Sequence, residues 1–123
     1  MEPVEINAGA WYLRALRADE RISDVPALDD LGVPDPLGYT EVVARGWESE
    51  NLFVWGICIP TTGETIAVIG LDVTHGQPTH YCGRARAGYD AALRAAGGPV
   101  TRFAAGVLDV ALPHTVPDGL PGL

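Results

Sequence analysis

Arg84-Ala85-Arg86-Ala87-Gly88-Tyr89 sets two arginines and a glycine directly before an alanine-rich stretch, DAALRA. A basic turn that contains glycine and opens a helix is suited to binding an anion. Backbone N–H groups and the positive end of the helix dipole both point at a negative charge placed there. The chemistry to expect is capture of a nucleotide-like anion behind a buried sheet.

Other reactive side chains carry less. Asp72, His75, His80 and Cys82 lie close in sequence, yet their spacing matches no zinc pattern. Gly76 and Pro78 mark that stretch as a loop, so no metal is expected. Ser23 reads as a helix cap, Ser49 ends a polar loop, and the chain has no G-x-S-x-G elbow. Asp19-Glu20 and Asp29-Asp30 read as solvent-facing acids at helix ends. All eight basic residues are arginine, which removes Schiff-base lysine chemistry. His114 is of a type suited to proton transfer at neutral pH, but its setting, LPHTVP, reads as a solvated chain end. No catalytic residue is assigned.

The elements that position the basic turn follow from periodicity. WYLRALR (11–17) alternates as a strand does, with Trp11, Leu13 and Ala15 on one side. Ser23 or Asp24 can cap a short helix carrying Val25, Leu28 and Leu31, which Gly32 stops. Asp35-Pro36 is a second cap, before a helix striped by Tyr39, Val43 and Trp47. LFVWGICI and TIAVIGLDV flank the turn PTTGE, with Thr62-Gly63 at its tip. Apolar residues on both faces of this hairpin predict a sheet covered on both sides. Tyr81-Cys82 reads as the remnant of a further strand. Gly88 to Ala96 is helical until Gly97-Gly98-Pro99 interrupts it, and helical patterning resumes from Val100 to Leu108. Val110 to Leu112 suits a short strand, and 113–123 reads as an unpacked Pro/Gly-rich tail.

Composition sets the outer limits. The chain has 123 residues, enough for a single core. Its net charge is −8, with four arginines against thirteen acids in 1–80 and four against three in 81–123. Such a balance excludes a broad cationic nucleic-acid surface but leaves room for a small anion held locally. The acidic start MEPVEINAGA does not read as a signal peptide, and no apolar run in the sequence is long enough to span a bilayer. Together with Cys58 and Cys82 read as free thiols, this predicts a cytoplasmic protein without a disulfide framework.

The order strand, two helices, hairpin, Arg/Gly turn and helix resembles the GNAT superfamily of acetyl-CoA-dependent N-acetyltransferases. YLRALRADERISDVPALDDL, FVWGICIPTTGETIAVIGL and RARAGYDAALRA carry the resemblance, across roughly 11–96. The family's Q/R-x-x-G-x-G/A loop aligns with Arg84 to Tyr89, with Ala87 where the first motif glycine would fall. The copy is therefore degenerate, and the C-terminal part is shortened, without the family's closing strands. The resemblance implies a mixed, mainly antiparallel central sheet with helices on both faces, forming one α/β domain over 1–112. It also implies acetyl-CoA as cosubstrate, bound at Arg84, Ala85, Arg86, Ala87, Gly88 and Tyr89, and a small-molecule or peptide amine as acceptor. The family's thiolate-protonating tyrosine has no counterpart, since no tyrosine follows Tyr89. Two functions are expected on this basis: an N-acetyltransferase of reduced or no activity, or a non-catalytic acyl-CoA-binding or homodimeric interaction module.

Overall fold

Every residue from Leu52 to Cys58 and from Thr65 to Leu71 is buried, which puts the hairpin at the centre of the sheet. The computed structural model describes residues 1–73 and 80–123. In chain order the elements are β1 (Ile6–Ala8), β2 (Trp11–Arg14), α1 (Val25–Asp30), α2 (Pro36–Ser49), β3 (Leu52–Cys58), β4 (Thr65–Asp72), β5 (His80–Ala85) and α3 (Asp90–Leu108). The strands form one antiparallel sheet in the order β1-β2-β3-β4-β5. The fold is α/β, with a five-stranded sheet and three helices.

Strand register decides which side chains share a face. Trp55, Ile69 and Gly83 are successive cross-strand partners, as are Phe53, Leu71 and Tyr81. Their face meets α3. The Phe103 ring lies 5.0 Å from Trp55 and 5.5 Å from Phe53, edge to face in each case. The alternate residues of β5 point the other way, and from there Arg84 reaches the carbonyl of Leu31 beyond α1.

α2 starts as its sequence predicts: Asp35 accepts a hydrogen bond from the Gly38 amide, and Pro36 occupies the first turn. Its buried stripe of Tyr39, Val43 and Trp47 packs inward. Trp47 does more than fill space. β2 pairs with β3 only from Gly56 to Cys58, so the first half of β3 lacks a partner on that side. The Trp47 indole N–H donates to the Val54 carbonyl there, and its ring lies 5.2 Å from Phe53 and 5.1 Å from Trp55.

Several expectations are corrected. α3 is one continuous helix through Gly97-Gly98-Pro99. A proline inside a helix costs roughly 3 kcal/mol, but Gly97, Pro99, Val100 and Phe103 are all buried against the sheet. A side chain at Gly97 would press on Val116 and the His114 carbonyl, so the small residue permits the close approach. β5 is a full six-residue strand rather than a remnant, because pairing with the buried β4 outweighs the weak strand preference of Cys82, Gly83 and Arg84. β1 was not foreseen, and no strand forms at 110–112.

The segment 113–123, expected to be unpacked, lies against the sheet. The Gly83 amide donates to the Pro117 carbonyl, and the Gly119 amide donates to the Gly83 carbonyl. These bonds form a single parallel bridge between Gly83 and Asp118. Pro121 is buried and accepts the Tyr39 hydroxyl. Turn composition alone misleads here, because backbone groups on the open edge of β5 need partners.

Burial raises the Tyr39 hydroxyl above its ordinary value of 10.0, so the folded state favours its neutral form. The linked stability is complete below that value and is lost as pH climbs past it. Tyr39→Phe is expected to cost about 1 kcal/mol at neutral pH through the lost hydrogen bond. It is also expected to flatten the alkaline fall in stability. Urea melts of both proteins at neutral pH and above pH 10 check this, and an unchanged alkaline slope contradicts it.

Candidate functional site

Arg84 and Ala85 sit within β5, opposite Val68 and Ala67. The first two residues of the expected loop are therefore strand, which gives Arg84 a rigid base. The Arg86 amide donates to the Ile66 carbonyl and extends the pairing by one residue. The chain then turns. The Tyr89 amide donates to the Arg86 carbonyl, and Gly88 has φ +89°. Glycine thus occupies the position of a type II turn where φ is positive. Ala87 adopts no positive φ, so alanine at that position leaves the turn intact. Tyr89 precedes α3 without a side-chain cap, and its ring stands edge-on to Trp11 at 6.0 Å.

The electrostatics differ from a bare basic loop. Arg84 Nε and Nη2 donate to Asp118 at 3.2 and 3.3 Å, while Nη1 donates to the Leu31 carbonyl at 3.2 Å. The Arg84 hydrogen bond holds the Asp118 carboxyl below its usual range. Arg86 Nε donates to Asp30 at 2.8 Å, and Glu64 lies 4.0 Å from its Nη1. Asp90 adds a negative charge in the first turn of α3. Both guanidinium groups thus meet carboxylates from distant segments: the end of α1, the β3–β4 turn and the C-terminal segment. Sequence reasoning missed these partners because they lie 34 and 56 residues away along the chain.

Two grooves flank the turn. One, of about 340 Å³, is lined by Arg21, Ser23, Thr62, Glu64 and Arg86 among others. The other, of about 420 Å³, is lined by Asp90, Leu93, Arg94, His114, Thr115 and Val116. The second brings the exposed His114 beside the start of α3, a proximity that its position in the sequence does not reveal.

A buried polar cluster was also missed. Arg14 is 4 % exposed and Asp24 2 %. Arg14 Nη1 and Nη2 donate to the two Asp24 oxygens at 2.8 and 2.9 Å. Nη2 also reaches the Gly63 carbonyl and Thr65 Oγ1. Thr65 donates in turn to Asp24 at 2.7 Å, and the Arg17 amide donates to the same carboxylate at 2.6 Å. Burial alone would lower the Arg14 pKa, but the hydrogen bond and charge of Asp24 outweigh it and raise that pKa, keeping the guanidinium charged. Asp24 does stand at the α1 N-cap position, but its carboxylate serves Arg14 and makes no cap hydrogen bond. The cluster ties β2, α1 and β4 together beneath the smaller groove. The one sequence signal was an arginine inside the apolar alternation of WYLRALR.

Cys58 and Cys82 are free thiols, both raised in pKa by burial. His75, one of the four residues weighed as metal ligands, lies outside the described residues. Among the described residues no group of three or more His, Cys, Asp or Glu side chains is arranged to hold a metal, and no helix is long and apolar enough to cross a membrane. No protein-family model, curated protein or solved structure matches the chain.

Proposed function

We propose that the chain is a GNAT-like domain that binds acetyl-CoA at the β5–α3 turn and transfers acetyl groups to an amine slowly or not at all. The observation that carries the reading is the passage from β5 through the glycine turn at Gly88 into α3, with Arg84 and Arg86 at its base. Arg84 and Arg86 would hold the diphosphate, and the amides around Ala87 and Gly88 would approach it closely. Bound acetyl-CoA would supply the activated acyl group.

The chain's own residues supply little further chemistry. No tyrosine follows Tyr89 to protonate a leaving thiolate. Asp90, Arg94 and His114 are the titratable side chains that line the larger groove. His114 is exposed, so water competes with any proton transfer it makes. Asp30, Glu64 and Asp118 offset the two arginines before a ligand arrives, which favours weak binding. That pairing supports a second reading, a non-catalytic acyl-CoA-binding or homodimeric interaction module built on the same sheet.

Titration calorimetry with coenzyme A tests the site. The wild-type chain is expected to bind, and Arg84→Ala/Arg86→Ala to weaken binding tenfold or more, on the order of 1.4 kcal/mol. Unchanged affinity in the double variant places the ligand elsewhere. A thiol-release assay with acetyl-CoA and a panel of amines separates the two readings. Saturable turnover lost in His114→Ala supports the acetyltransferase, and binding without turnover supports the module.

A further inference from the structure

Arg84 differs from the other paired arginines in how its two edges are held. One edge is taken up by main chain, since Nη1 donates to the Leu31 backbone carbonyl at 3.2 Å. The other edge presents Nε and Nη2 side by side, the fork that arginine uses for carboxylate or phosphate. Asp118 fills that fork loosely. Its contacts are 3.2 and 3.3 Å, longer than the 2.8 and 2.9 Å of the buried Arg14–Asp24 pair. Its side chain is 77 % exposed and that of Arg84 is 37 % exposed. An exposed, long ion pair contributes little to stability and exchanges readily with solvent.

The backbone around Asp118 is held more firmly than its side chain. Bonds from the Gly83 amide to Pro117 and from the Gly119 amide to Gly83 bracket it, and Pro121 is anchored by Tyr39. The carboxylate can therefore swing off Arg84 and return without the segment leaving the sheet. When it leaves, Arg84 still projects from the paired strand β5, and its Nη1 still has the Leu31 carbonyl.

We infer that Asp118 is a built-in, displaceable occupant of an oxyanion subsite at Arg84, which a diphosphate-bearing ligand must displace to bind. The subsite follows from the Arg84 geometry alone. The choice of coenzyme A as its ligand rests on the function proposed above.

Calorimetry on the full chain with inorganic pyrophosphate and, separately, with coenzyme A tests the inference in wild type, Asp118→Asn and Asp118→Asn/Arg84→Ala. Asparagine keeps the size of the side chain and removes the competing charge. Asp118→Asn is expected to bind pyrophosphate about two- to fivefold tighter than wild type, the range for losing one exposed ion pair. The gain is expected to vanish when Arg84 is also replaced and to shrink at high salt. Pyrophosphate affinity equal to or weaker than wild type in Asp118→Asn overturns the inference, whether or not coenzyme A binds. Tighter pyrophosphate binding without coenzyme A binding keeps the subsite and overturns the acyl-CoA reading. Failure of every variant to bind either probe overturns both.

Discussion

Replacing Asp24 with alanine is expected to destabilise the protein by about 3–5 kcal/mol, the range for breaking a buried ion pair by removing one partner. Asp24 accepts from both Nη atoms of Arg14, from Thr65 and from the Arg17 amide. Its loss strands a guanidinium that is only 4 % exposed and whose Nε already has no partner. A small domain has roughly 5–15 kcal/mol of total stability, so the substitution removes a large share of it. Arg14→Met/Asp24→Leu is expected to recover part of the loss, because no charge then remains buried. Recovery stays incomplete because Thr65 and the Arg17 amide still lack their acceptor. Urea denaturation of the two variants measures both effects. A cost below about 1 kcal/mol for Asp24→Ala means that the cluster is hydrated in solution and does not lock β2 to β4.

Trp47→Ala is expected to cost about 3–5 kcal/mol, as large aromatic truncations in a packed core do. Trp47 is 1 % exposed and contacts Phe53, Trp55 and Phe103 in edge-to-face geometry. Its indole also caps the Val54 carbonyl where β2 has ended. Removing it opens a cavity between α2 and the sheet and leaves that carbonyl without its partner. Trp47→Phe separates the two effects, since it refills most of the space but cannot donate the hydrogen bond. The expected order of stability is wild type, then Trp47→Phe, then Trp47→Ala, read from urea midpoints at constant m-value. Equal stability of the phenylalanine and alanine variants removes packing as the main contribution.

These costs bear on the candidate site because the site is built on the same scaffold. Thr65 opens β4 and belongs to the Arg14 cluster, and Ile66 beside it accepts the Arg86 amide. Loosening the cluster therefore loosens the base of the turn. Coenzyme A affinity in a partly destabilised variant should be compared at equal folded fraction.

By itself the sequence determined the central hairpin, the cap and stripe of α2, and the turn at Gly63. Each of these is local. Two continuous apolar runs around a turn, an Asp-Pro start and a positive-φ glycine are each legible in a short stretch of chain, so residue type settles them. Glycine at Gly88 likewise marked the turn before α3. Tertiary structure alone decided whether α3 would break. Gly97 and Pro99 oppose a helix locally, and only packing against the sheet keeps it continuous. It also decided that 113–123 would dock, because the groups its backbone bonds with, Gly83 on β5 and the Tyr39 hydroxyl on α2, lie far away in sequence. The charge state of the Arg/Gly turn belongs to the same class. Arg84 and Arg86 read as free cations in one dimension, but the fold brings Asp118, Asp30 and Glu64 to them from three separate segments. Electrostatic pairing follows distance in space, which the order of residues does not encode.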